Sequence, residues 1–242
     1  MVFKFGDRLI EVDGTVYLKR RILFVISGGN AVTIICLEGA SSVGKSTTCQ
    51  QFATQYDAFI VPETGLLFEY PQLEDRELMM WLLERQIERW HIAYEKNQQH
   101  EYVILDGDIF KIWYSWIYGY EHLSLGETAN FFRAKLLENE ISLPDAYVLF
   151  WAEEDELRKR KEMDQTRSRR NFDKHLRLIE PQMRYFHYLN ELVPGYVGIY
   201  KAETVADNIH HIVNHCETLP DIKKREVEIF DRVIDFYKST TP

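Results

Sequence analysis

Residues 39–47, GASSVGKST, constrain this chain more than any other stretch. They fit the pattern G-x-x-x-x-G-K-[ST], in which Gly39 and Gly44 let the backbone curl tightly enough to aim successive N–H groups at one point. Ala40, Ser41, Ser42 and Val43 form the arch between them, and Thr47 completes the run. Lys45 can reach outer phosphates, and the Ser46 hydroxyl can ligate Mg²⁺. The flanks agree. VTIICLE before the loop is a β-branched apolar run of the buried-strand type, and STTCQQFATQY after it reads as a helix. A phosphate cradle needs that order of strand, loop and helix, because the helix N-terminus adds its dipole to the loop's N–H groups.

The rest of the chain alternates strand and helix patterns. AFIVPETG is a short second strand ending in Pro62, Glu63 and Gly65, and a long helix is expected over 74–98, with Met79, Leu83, Gln86, Trp90 and Ala93 as its apolar stripe. EYVILDGD gives a third strand, ANFFRAKLLENEI a helix, DAYVLFWA a fourth strand, and EEDELRKRKEM another helix. KHLRLIEPQMRYFHYLNEL is helical, with Pro181 kinking it or marking a break. GYVGIYKAE is a fifth strand and TVADNIHHIVNHC a helix, and Val227, Phe230, Ile234 and Tyr237 mark a last amphipathic helix. The expected fold is a three-layer α/β/α sandwich around a parallel five-stranded sheet, with ligands at the carboxyl ends of the strands. Ahead of it, RLIEVDGTVYLK alternates around Asp13-Gly14, a hairpin signal, and RILFVIS is a further candidate strand. Residues 1–30 are expected to form a β extension or a partly ordered leader, 31–219 the main domain, and 220–242 a C-terminal amphipathic helix.

Composition narrows the partners. The chain has 242 residues, 45% hydrophobic and 28% charged, with a net charge of −9. That suits one full core and argues against a broad nucleic-acid-binding face. Three cysteines (Cys36, Cys49, Cys216) without paired spacing fit a reduced, cytoplasmic setting. No stretch approaches a membrane span, and MVFKFGDRLIEVDG lacks the basic-then-apolar order of a signal peptide. A homodimer is left open.

The loop alone does not separate GTPases, motor-like ATPases and small-molecule kinases. An N-K-x-D guanine element and a transporter-ATPase signature are both missing. With its short length, an aromatic-rich helix after strand two and an arginine cluster after strand four, the chain over about 32–215 resembles the nucleotide and deoxynucleoside kinase group of P-loop proteins. The resemblance implies ATP and Mg²⁺ as cofactors and a small-molecule phosphoryl acceptor.

Specific residues carry it. VPETG puts Glu63 where deoxynucleoside kinases have their Glu-Pro element and where chloramphenicol phosphotransferase has an Asp. A carboxylate there can accept the proton of an attacking hydroxyl, and capping of the following turn is the alternative. Asp106, after four apolar strand residues, is placed to orient Mg²⁺ together with Ser46. Here the chain departs from its relatives: it has Asp-Gly-Asp where they have Glu-Arg-Ser or Asp-Arg. Asp108 either meets a polar group of the acceptor or caps a helix. Gln86 matches the position of a base-reading Gln, or sits at the margin of a packed face. Arg89 beside it either meets the acceptor or is solvated surface charge. Within FKIWYSWIYGYEH, Trp113 either lines the acceptor pocket or joins the core. In RKRKEMDQTRSRR the pattern implies a lid near 158–172 whose Arg158, Arg167 and Arg169 reach phosphate, the alternative being a solvated basic face. Ala202, at the exit of strand five, should lie near the adenine.

The expected activity is ATP-dependent transfer of a γ-phosphoryl group to a hydroxyl of a small molecule, with a nucleoside-like acceptor first. An antibiotic or other metabolite alcohol is the second reading, and a regulatory ATP-binder that transfers nothing is the third.

Overall fold

The computed structural model describes residues 8–12, 15–19, 33–112, 122–164 and 172–240. Contacts divide the chain into two units, Met1–Ala31 and Val32–Pro242. In the first, β1 (Arg8–Val12) pairs antiparallel with β2 (Thr15–Lys19), Val12 facing Thr15. That register leaves two positions between the strands, the spacing of the Asp13-Gly14 signal. Asp13, Gly14 and the candidate strand RILFVIS lie outside the described residues.

The second unit is built on five parallel strands in the order β4-β5-β3-β6-β7. These are β3 (Thr33–Gly39), β4 (Ala58–Val61), β5 (Tyr102–Asp106), β6 (Ala146–Trp151) and β7 (Val197–Lys201). The loop-bearing strand β3 is central and buried at every residue, so its side chains serve two cores in alternation. Ile34 and Cys36 face one apolar cluster and Ile35 and Leu37 the other. The first cluster takes Leu83, Ile87, Trp90 and Ala93 from α3 (Asp75–Lys96), Phe132 from α4 (Leu125–Leu137), Phe186 from α7 (Ile179–Leu192) and Phe230 from α9 (Glu226–Ser239). The second takes Cys49 and Phe52 from α1 (Lys45–Gln55) and Ile209 and Ile212 from α8 (Val205–Cys216).

From β3 the chain builds outward to β4 and β5 on one side, then crosses to β6 and β7 on the other. That change of direction opens the crevice at the carboxyl end of β3. Two short helices border it, α2 (Thr64–Leu67) after β4 and α6 (Phe172–Leu176) before α7. Among the described residues the remaining helix, α5 (Glu154–Met163), follows β6. Pro181 does not kink a continuous helix. It occupies the first turn of α7, where its missing N–H has no intrahelical acceptor to lose, and the break falls between Leu176 and Ile179. Among the described residues no helix is long and apolar enough to cross a membrane.

Candidate functional site

The loop's shape follows from its glycines. Gly39 has φ +142°, and a Cβ there would stand 2.2 Å from the Phe150 carbonyl oxygen of β6, so no side chain fits. Gly44 has φ +109° and serves as N-cap of α1. That helix has no side-chain cap and no acidic residue in its first turn, which leaves its positive end to be satisfied by an anion. At the first helical position, Lys45 Nζ donates to Gly39 O at 2.7 Å, so the ammonium lies across the loop's mouth.

Next along the helix, the Ser46 hydroxyl donates to Asp106 Oδ2 at 2.8 Å. Parallel pairing sets this contact, because Asp106 ends β5 in register with Leu37 of β3. Among the buried side-chain polar atoms that lack a hydrogen-bond partner in the described residues are Ser42 Oγ in the arch and Asp106 Oδ1. One lies in the phosphate cradle and the other beside Ser46, so a phosphate chain and its Mg²⁺ fit the donor set. Among the described residues no three His, Cys, Asp or Glu side chains gather to hold a metal alone. A hard cation here would complete its shell with phosphate oxygens and water.

Below the loop lies a buried polar hub that sequence reading passed over. Glu38 accepts from Gly39 N (3.2 Å), Asp108 N (2.6 Å) and Gln182 Nε2 of α7 (2.9 Å). The signal was there: an acid inside an apolar strand, directly before the first glycine. Asp108 is 0% exposed and does not present to the crevice. It accepts from the Tyr147 hydroxyl at 3.0 Å and from Lys111 N at 3.2 Å. Burial, and then the charge of Glu38, push its pKa up to about 7.

A second network braces the strand ends. Arg89 is also 0% exposed, which removes the solvated-surface alternative. Its Nε donates to Pro62 O (2.9 Å), Nη1 to Gln86 Oε1 (2.7 Å), and Nη2 to the carbonyls of Asp106 and Gly107 (2.9 Å each). Gln86, also buried, donates to Thr64 Oγ1 at 2.8 Å. Both side chains are buried and engaged in these bonds. They fix the exits of β4 and β5, from which Glu63 and Asp106 project. Glu63 stands at the N-cap of α2 but makes no side-chain cap bond there. Its charge is felt by buried Cys49 together with Asp106 and Lys45, and by Arg89 together with Asp106.

On the far side of the loop the arginine cluster divides. Arg158 donates to Glu154 and Asp173, each as close as 2.7 Å, and lies over Phe172. Among the described residues of the cluster, Arg160 reaches the loop: Nη1 donates to Val43 O and Nη2 to Ala202 O, both at 2.8 Å, while Glu156 of the same helix pairs with it. Ala202 is buried, its N–H bonded to Trp151 O at 2.8 Å. The run RKRK does not distinguish Arg158 from Arg160, and the three-dimensional contact does. Trp113, Arg167 and Arg169 lie outside the described residues.

Comparison with known proteins agrees with this geometry. A family model described as an AAA domain matches residues 34–183. No curated protein sequence matches the chain. Among solved structures, thymidylate kinase from Candida albicans aligns at 16% identity over 78% of this chain and 95% of its own, with a TM-score of 0.50. Deoxyadenosine kinase from M. mycoides with bound dATP aligns at 15% identity over 77% and 100%, with a TM-score of 0.46. At such identities the likeness speaks for the fold. The family match spans more than half of the chain and takes in the loop, both strand-end carboxylates and the start of α7, and the chain therefore belongs to the AAA domain family.

Proposed function

We propose that this protein is an ATP-dependent small-molecule kinase and that its acceptor is a nucleoside-like alcohol. The observation that carries this reading is Glu63. It leaves the sheet one residue after Pro62, is not used to cap α2, and shares an electrostatic neighbourhood with Lys45 and Asp106. An ATP-binder that transfers nothing needs the cradle but no base, whereas a carboxylate in that neighbourhood can take the proton of an attacking hydroxyl.

The residues that would hold ATP are the loop 39–47, Lys45 and the backbone beside Ala202, with Ser46 and Asp106 toward Mg²⁺. Mg²⁺, when bound, neutralises charge on the phosphate oxygens. Lys45 would steady the β- and γ-phosphates. The acceptor oxygen forms its bond to the γ-phosphorus as the bond to the bridging oxygen breaks. ADP leaves with that electron pair, and the hydroxyl proton passes to Glu63. Positioning and charge neutralisation supply most of the effect. Arg167 and Arg169, in the sequence between α5 and α6, are proposed to add positive charge to the same phosphates.

A screen of the purified protein with ATP and Mg²⁺ against nucleosides, nucleotides, and aminoglycoside or phenicol alcohols tests the reading. Phosphorylated product with at least one acceptor, lost in Lys45→Ala, is the expected result. Nucleotide binding without transfer to any acceptor would favour the regulatory alternative.

A further inference from the structure

At the end of β5 the chain has Gly107 directly after Asp106, and the space beside its missing side chain is filled by a cation. A Cβ on Gly107 (φ +88°) would stand 3.3 Å from Lys111 Nζ and 3.6 Å from Glu38 Oε1. The Lys111 side chain is thus folded back over the strand end. Its backbone is bent to allow this. Ile109, Phe110 and Ile112 are buried in the first cluster, while Lys111 among them is half-buried and takes φ +43°. A left-handed backbone is strained for such a residue, and the strain persists only where the surroundings hold it. Here they do. Asp108 accepts from Lys111 N at 3.2 Å and from the Tyr147 hydroxyl at 3.0 Å, and the Gly107 carbonyl accepts from Arg89 at 2.9 Å.

Neighbouring contacts tie this ammonium to the cradle. Glu38, which borders the same space, accepts through its other oxygen from the N–H of Gly39, the first residue of the loop. Asp106, one residue before Gly107, accepts from Ser46 at 2.8 Å. A phosphoryl group in transfer spreads negative charge over its oxygens, and cations fixed around it lower the barrier. We propose that Lys111 is a further catalytic residue, a cation that contacts the phosphoryl group in transfer from the β5 side of the cradle. The inference rests on the kinase reading above. A protein partner at rest is no obstacle, since Lys45 has one in Gly39 O. The alternative is a lysine that only offsets the buried carboxylates of Glu38 and Asp108.

Two measurements decide it. Lys111→Gly removes the cation and suits the left-handed backbone, and Lys111→Arg keeps the charge. Lys111→Met, which keeps the length without the charge, serves if Lys111→Gly does not fold. In the first measurement, Mg²⁺–ADP is titrated into the full chain with and without fluoroaluminate, a planar mimic of the phosphoryl group in transfer. Fluoroaluminate should tighten ADP binding in the wild type and in Lys111→Arg, and about 10-fold less or weaker still in Lys111→Gly, with affinity for Mg²⁺–ADP alone unchanged. Equal tightening in the wild type and Lys111→Gly, or none in the wild type, overturns the proposal. In the second, with an acceptor found in the screen, Lys111→Gly should lower kcat per folded molecule about 10²–10³-fold, and Lys111→Arg should recover most of it. A wild-type kcat per folded molecule, with the loss confined to the urea melt, also overturns it and leaves the charge-offsetting role. If the wild-type protein transfers to no acceptor, the kinase reading falls by itself. The fluoroaluminate comparison then still decides whether Lys111 meets the phosphoryl group.

Discussion

Changing Glu63 to Gln keeps the side chain's shape and reach but removes its basicity, so the chemical step should suffer and ATP binding should not. We expect phosphoryl transfer to fall about 10²–10⁴-fold at nearly unchanged ATP affinity. Transfer at the wild-type rate would strip Glu63 of its role. Asp106→Asn is the contrast: its carboxylate is held by Ser46, and its loss should raise the Mg²⁺ requirement as well as slow transfer. Asp108 gives a different readout, in stability. Its folded-state pKa of about 7 lies above the ordinary 3.8, so the native state binds the proton more tightly than the unfolded chain does. That contribution is complete below about pH 4 and is lost as pH rises through 7. Relative to Asp108→Asn, the wild type should therefore lose up to roughly 4 kcal/mol of unfolding free energy between pH 4 and pH 8. Denaturant melts across that range check it, and parallel curves for the two proteins would refute it.

At the scale of elements, α5 and α6 are joined by Arg158–Asp173, and α5 is tied to the loop by Arg160. A phosphate chain filling the cradle should be felt by both helices. Hydrogen exchange across 154–163 and 172–176 is expected to slow when ATP and Mg²⁺ are added, and equal protection with and without them would leave only a solvated basic face. The elements themselves were legible wherever burial imposed a period. Ile34, Ile35, Cys36 and Leu37 read as a strand because both faces of β3 are covered. The stripe of α3 named Leu83, Trp90 and Ala93, all buried. Helix α2 was missed, because four residues are too few to show a helical period. The loop and Asp106 were legible because local sequence alone fixes a cradle and a strand end. Glu38–Gln182 and Arg160–Val43 were not, since their partners lie 144 and 117 positions apart and only the fold brings them together.

For the molecule as a whole, the two faces of the sheet have different tasks. The face covered by α1 and α8 carries the loop, while the other is closed by α3, α4, α7 and α9, where Phe230 packs against Phe110 at 5.6 Å. Phe230→Ala should cost about 3–5 kcal/mol of stability by leaving a cavity, while the remaining folded protein should still bind ATP. A urea melt paired with a nucleotide titration tests both halves, and an unchanged melting midpoint would contradict the packing. The brace of Arg89 has a broader consequence. One buried guanidinium spans the carbonyls at the ends of two neighbouring strands, and so sets the separation from which Glu63 and Asp106 project without touching any ligand. The two carboxylates thus behave like the jaws of a locked caliper, with their gauge set during folding. On the proposed kinase reading, that gauge is the same for every acceptor, choice among acceptors falls to walls that can vary, and a lineage can change its substrate by resurfacing those walls while the gauge stays still.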